Sequence, residues 1–125
     1  MKENELFEYL KDFIPDIKFI GGSSIWDCTS EIFNSRIELK CRPTHYSTML
    51  IEKKKYDSLI NSGKNPLYIN STPKGIYLWK LDEHDINWKT EKHNKTTEIP
   101  NGSREKIDKE VGYLKIADAF VLQIF

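Results

Sequence analysis

Apolar residues recur at helical spacing near the start of the chain. Leu6, Phe7, Leu10, Phe13 and Ile14 predict an amphipathic helix over 3–14, stopped by Pro15. On a helical wheel Glu3 falls near the centre of that apolar face, and Glu5 and Glu8 fall opposite it. The period then shortens. Ile17-Lys18-Phe19-Ile20 reads as a short strand ended by Gly21-Gly22. Two more strands are expected around 25–31 and 35–42, joined by a turn near Ile32-Phe33-Asn34-Ser35 and ended by Pro43. Residues 46–62 predict a second helix with Met49, Tyr56, Leu59 and Ile60 as its buried stripe and Gly63 suited to its C-cap. Leu67-Tyr68-Ile69 and Ile76 to Leu81 flank the turn Pro73-Lys74-Gly75 and predict a hairpin. Residues 82–110 are polar, with a turn signal at Pro100-Asn101-Gly102 and room for irregular strands near Trp88 and Thr96-Thr97. From Val111 to Phe125 the chain is apolar again and is expected to pack on the core as strand, helix or both. The order predicts one mixed α/β (α+β) domain over 1–125, without repeat or linker.

Composition narrows this little. A chain of 125 residues suits one domain with a real core, and 38% apolar with 30% charged residues makes it polar. No apolar run is long enough to span a membrane, and the first residues lack a signal-peptide pattern, so a cytoplasmic protein is expected. Cys28 and Cys41, without CxxC spacing, are expected to be thiols. His45, His84 and His93 have no partner cysteine at zinc-ligand spacing. The formal net charge is zero, which excludes a protein held to nucleic acid by bulk charge but leaves local patches. Lys53-Lys54-Lys55 is one; Lys89, Lys92, Lys95, Arg104, Lys106 and Lys109 form a second, interrupted by acids.

The chemistry concentrates around residue 40. In Arg36-Ile37-Glu38-Leu39-Lys40-Cys41-Arg42 the strand period puts Ile37, Leu39 and Cys41 on one side and Arg36, Glu38, Lys40 and Arg42 on the other. Asp27 lies in Ser24-Ile25-Trp26-Asp27-Cys28-Thr29, and pairing of the two strands brings it to Glu38. Two adjacent carboxylates repel unless a cation shares them. Mg²⁺ is the natural one, because it prefers hard oxygen ligands and keeps several waters. Lys40 is then placed to orient or deprotonate a metal-bound water, or to neutralise a phosphate. Glu-x-Lys alone is weak: Glu52-Lys53-Lys54 is a second instance, and a solvated strand face with cross-strand ion pairs is the plain alternative.

Over residues 3–81 the arrangement resembles the PD-(D/E)XK nuclease superfamily of restriction endonucleases, Holliday-junction resolvases and phage exonucleases. The resemblance implies a restriction endonuclease-like core, a central mixed sheet flanked by helices in the order α-β-β-β-α-β-β. It maps the catalytic Asp to Asp27, the Glu-x-Lys to Glu38-Leu39-Lys40, and a first-helix acid to Glu3 or Glu5. The Leu39 carbonyl commonly completes the metal shell in that family. Glu52-Lys53-Lys54-Lys55-Tyr56 has the spacing of a Gln-x-x-x-Tyr motif carried by some branches, with Glu52 replacing Gln and Tyr56 in place. Trp26 stands where the family often has Pro. The implied activity is Mg²⁺-dependent cleavage of DNA, with Mn²⁺ able to substitute, by an endonuclease of phage or mobile-element type and possible homodimeric form.

Nucleic-acid contacts are expected from Arg42, Lys53, Lys54 and Lys55. Trp26, Trp79 and Trp88 can stack bases, although Trp79, in its apolar strand, reads as core. His45 reads as a surface residue beside the cleft, and Lys95-Thr96-Thr97-Glu98 offers hydroxyls to a backbone. Two rival readings stand beside the enzyme. One is a nuclease-fold module that binds nucleic acid or protein without cutting. The other is an unrelated α/β protein whose Asp27 and Glu38 lie more than about 8 Å apart, too far to share one Mg²⁺.

Overall fold

The computed structural model describes residues 1–20, 27–94 and 106–125. The features expected at Gly21-Gly22, Ser24 to Trp26, Lys95 to Glu98, Pro100-Asn101-Gly102 and Arg104 lie outside the described residues. The first apolar period folds as α1 (Glu3–Leu10), with Leu6 and Leu10 fully buried. Beyond Leu10 the chain turns rather than continuing to residue 14: the N–H groups of Phe13 and Ile14 both donate to the Leu10 carbonyl, at 3.0 and 2.7 Å. Ile14 is buried by that turn, and Phe13 is left 45% exposed.

Strands β1 (Lys18–Phe19), β2 (Asp27–Ser30) and β3 (Ser35–Cys41) follow as an antiparallel meander. Two devices fix the β2–β3 turn. Asn34 takes φ 46, a left-handed value that Asn tolerates better than most residues. The Asp16 carboxylate accepts hydrogen bonds from Ser30 Oγ at 2.6 Å and from the N–H groups of Glu31 and Ile32 at 2.8 and 3.0 Å. The Ser30 bond, with the backbone donors, holds Asp16 below the usual carboxylate range.

The predicted helix over 46–62 is two elements. Strand β4 (Thr48–Glu52) runs directly into α2 (Lys53–Ile60). Met49 and Ile51 are buried and their neighbours half-buried, which is the period of a strand. The apolar spacing at 49, 56, 59 and 60 satisfies a helix equally well. A partner distant in sequence decides the matter: β4 pairs antiparallel with β8 (Lys106–Lys115). The C-cap is Asn61, two residues before the expected Gly63, which follows with a left-handed φ of 76.

The hairpin is as predicted, β5 (Asn65–Thr72) and β6 (Gly75–Lys80). Strand β7 (Lys89–Asn94) accounts for the irregular segment after Trp88. The segment ending at residue 110 also carries the first half of β8, which the polar composition concealed. The apolar end only partly joins the core. Val111 and Leu114 are buried, whereas in β9 (Phe120–Ile124) Phe120, Val121 and Ile124 remain at least half exposed.

The strands form a six-stranded sheet, β1-β2-β3-β5-β6-β9, and a three-stranded sheet, β4-β8-β7. All pairs are antiparallel except β3 with β5, between which β4 and α2 form the crossover. The fold is mixed α and β, in two apolar layers. Helix α1 covers one face of the large sheet, where Leu6 and Leu10 pack with Cys28, Ile37, Leu39, Leu67 and Ile69. The second layer joins Leu59 of α2 and Met49, Ile51 and Leu114 of the small sheet to Tyr68, Tyr77 and Trp79. Trp79 is fully buried, as its apolar strand implied, and its Nε1–H donates to the Lys115 carbonyl at 3.0 Å. Both cysteines are thiols. Among the described residues no helix is long and apolar enough to cross a membrane.

Gly112 marks the tightest crossing of β8 with its surroundings. A methyl group there would overlap the Ile86 side chain and come within 3.2 Å of the Trp88 ring. Gly112→Ala is therefore expected to lose about 1–3 kcal/mol of stability through overpacking. A urea unfolding midpoint equal to that of the wild type would contradict this.

Candidate functional site

The β2–β3 register sets Asp27 directly opposite Glu38, and the β3–β5 register sets Glu38 beside Tyr68. Directly opposed antiparallel residues have Cβ atoms about 4.5–5.5 Å apart and point to the same face. Asp27 and Glu38 are thus cross-strand neighbours on one face of the sheet. Ile37 and Leu39 point to α1, so strand alternation sends Arg36, Glu38 and Lys40 to the α2 side. Asn70 lies opposite Lys40 on β5 and shares that face.

Each carboxylate meets a cation from a different element. Arg36 grips Asp27 with both arms, Nε to Oδ1 at 2.9 Å and Nη2 to Oδ2 at 2.6 Å, the fork geometry of a bidentate pair. This pairing holds the Arg36 guanidinium more firmly protonated than usual. Glu38 is 2% exposed, and Lys55 of α2 approaches its Oε1 at 3.9 Å. Burial pushes the Glu38 carboxyl up from its ordinary range; Lys55 and Lys40 oppose that shift and Asp27 adds to it. Burial similarly raises the Cys28 thiol to about 12, with Asp27 and Glu38 contributing. Lys40 is half-buried and close enough to Glu38 to act on its charge.

Other residues singled out by the sequence scatter around this row. Arg42 continues the face, and its Nη2 donates to the Leu50 carbonyl at 3.0 Å and to Tyr68 Oη at 3.2 Å. The three lysines of α2 diverge: Lys55 faces Glu38, Lys53 pairs with Asp57 at 2.9 Å, and Lys54 is exposed. Glu52 is engaged by Lys109 at 2.8 Å. Tyr56 packs edge-on against Trp88, 5.0 Å between ring centres. Glu3 and Glu5 act on Cys41, on the α1 side of the sheet, away from the Asp27–Glu38 face. His45, half-buried, has Nδ1 2.8 Å from Thr72 Oγ1.

Three participants went unassigned in the sequence. Arg36 was placed on the correct face, but its fork on Asp27 depends on the register. Tyr68 was read only as a strand residue, yet its buried hydroxyl donates to the Leu50 carbonyl at 2.9 Å. Asn70 is fully buried, and its Nδ2 has no hydrogen-bond partner among the described residues.

The donor chemistry suits a hard divalent cation. Two carboxylates stand side by side, one of them desolvated, and resident cations offset their charge. Among the described residues no group of three or more His, Cys, Asp and Glu side chains is arranged to hold a metal ion. Mg²⁺ does not need such a group, since it is commonly held by one or two carboxylates plus water and substrate phosphate. Arg36 takes one lone pair on each oxygen of Asp27, so a shared ion would compete with Arg36 for this carboxylate. Comparison of the chain with protein-family models, curated proteins and solved structures gave no match.

Proposed function

We propose that this protein is a Mg²⁺-dependent nuclease that hydrolyses phosphodiester bonds of DNA as an endonuclease. The observation that carries the proposal is the row of Asp27 opposite Glu38, with Lys40 one strand repeat further on the same face. The order of α1, a three-strand meander, α2 and a strand parallel to β3 supports a restriction endonuclease-like core, from which the chain departs by β4, inserted before α2 and paired into the second sheet. Asp27, Glu38 and the Leu39 carbonyl would hold the Mg²⁺, and Mn²⁺ would substitute. Bound there, the ion would supply an acidified water and offset negative charge on the phosphate.

The chain's own residues do the rest. Glu38, buried between β2 and β5, is fixed by its surroundings and needs little reorganisation. Lys40 directs its ammonium Nζ to the phosphate or to the attacking water. Arg36 leaves Asp27 and follows the phosphate, keeping its charge paired in both states. Lys54, exposed on α2, and Arg42 guide the backbone. A homodimer would let one small domain cut both strands.

A second reading has a specific observation behind it. The Arg36 fork and the burial of Glu38 also suit a nuclease-fold module that binds nucleic acid or protein and no longer cuts. Metal separates the two. Wild-type protein with Mg²⁺ or Mn²⁺ is expected to nick plasmid or branched DNA, EDTA to stop this, and Lys40→Ala to lower the rate by at least about 100-fold, as loss of positioned acid–base chemistry does. If wild type and Lys40→Ala behave alike across circular, linear, single-stranded and branched substrates, the enzyme reading is lost.

A further inference from the structure

Past the carboxylate row, the active face of β3 leads through Arg42 into a groove of about 500 Å³, lined by Arg42, Tyr46, Leu50, His93 and Tyr113 among others. This volume lies within the range of roughly 300–1,000 Å³ typical of small-ligand sites. Arg42 is its cation. Arg42 uses Nη2 on Leu50 and Tyr68, and its Nε is a long 3.4 Å from Asn70 Oδ1; Nη1 is in none of these bonds. The partnerless Nδ2 of Asn70 belongs to the same buried cluster. Asn70 is fully buried and does not line the groove, so Arg42 is the side chain that brings N–H groups to it at this point.

Three of the other lining side chains, Tyr46, His93 and Tyr113, carry rings, beside Ser47, Thr48, Met49 and Leu50. Tyr46 is 63% exposed. His93 and Tyr113 are held by one carboxylate: Glu91 Oε1 accepts from Tyr113 Oη at 2.6 Å and lies 2.9 Å from His93 Nε2. The Tyr113 bond, with His93, holds Glu91 below the usual carboxylate range. Its negative charge disfavours a phosphate beside the rings and leaves Arg42 as the phosphate end. Lys89 Nζ lies over the Tyr113 ring at 5.1 Å, so a flat ligand would meet that ring on its other face, and a ring held in advance loses little further freedom on stacking.

From these features we infer that the groove binds one unpaired nucleotide of the DNA strand next to the cleavage position, its phosphate on Arg42 and its base on Tyr46, His93 and Tyr113. Aromatic platforms accept any base by its face, but only a base released from the duplex stack has a free face. The substrates selected are single strands, flaps and branch points rather than uninterrupted duplex. This rests on the nuclease reading for the choice of DNA, and its test requires no cleavage.

Fluorescence anisotropy in EDTA, at fixed salt, compares a labelled single-stranded oligonucleotide with the duplex of the same sequence. Wild type is expected to bind the single strand about tenfold more tightly, and Tyr46→Ala to weaken that binding by roughly tenfold with duplex binding unchanged, the size of one lost base stack. Tyr46→Phe, which keeps the ring, should bind as the wild type does. Tyr46 is exposed, so its truncation leaves the core intact. Equal affinity of wild type and Tyr46→Ala for the single strand, or duplex bound as tightly as single strand, overturns the inference. Ring-dependent binding without any metal-dependent nicking would overturn the nuclease reading alone. Nicking with binding indifferent to Tyr46 would overturn the groove alone.

Discussion

Glu38→Gln is expected to abolish metal-dependent cleavage and, in metal-free buffer at neutral pH, to unfold at a higher temperature than the wild type. The two effects have one origin. Glu38 is almost fully buried with a raised carboxyl, so its ionised form is a desolvated charge that Lys55, at 3.9 Å, only partly offsets. The amide keeps the shape and removes the charge. Substitutions of groups that merely orient metal ligands cost about 10–100-fold, so loss of a direct ligand should cost at least about 100-fold in rate. The pH dependence has a defined sign. A carboxyl raised in the folded state binds more protons folded than unfolded, so its penalty is present above the folded pKa. The penalty fades as pH falls through that value and is gone below the ordinary carboxyl range. The advantage of Glu38→Gln should thus be largest at neutral pH and vanish in acid. Calorimetric scans of both proteins in EDTA across pH would show it. An advantage that grows on acidification would contradict the burial argument.

Arg36→Met should convert Asp27 from an occupied carboxylate to a vacant one. The lost fork comprises two charge-assisted bonds at 2.9 and 2.6 Å in a half-buried setting. A hydrogen bond to a charged group contributes about 1.5–3 kcal/mol, so the metal-free variant should lose stability of that order. Arg36 and a divalent ion compete for the same oxygens, so the variant should bind Mn²⁺ or Mg²⁺ about ten- to a hundredfold more tightly, the same energy expressed as affinity. Thermal shift with added metal should be small for the wild type and large for Arg36→Met. Arg36→Lys keeps the charge without the fork and should fall between them. Titration calorimetry giving equal metal affinity for wild type and Arg36→Met would remove the competition on which this rests.

The chain announced its site more clearly than its scaffold. Alternation in 36–42, with a turn at 32–35, was enough to orient Glu38 and Lys40 together and to predict that Asp27 meets Glu38. The hairpin from Asn65 to Lys80 was legible because Pro73-Lys74-Gly75 is a local turn with local chemistry. What failed depended on distant partners. Residues 48–52 become a strand because β8 lies beside them, more than fifty positions later in the chain. The front half of β8 is hidden because its pattern is largely exposed and charged, and only Ile107 and Lys109 are half-buried there. The Arg36–Asp27 fork follows from a diagonal across the β2–β3 register, and a one-residue slip would have given Asp27 a different neighbour. The groove at Arg42 was invisible for the same reason: Tyr46, His93 and Tyr113 come from three separate segments.

The junction at Glu52 and Lys53 contains no linker. The strand that lines the groove becomes the helix that carries Lys55, three residues past Glu52. One unbroken run of backbone therefore carries both Leu50, at the wall of the groove, and the Lys55 ammonium, 3.9 Å from the buried acid, so the two places are five residues apart along the chain.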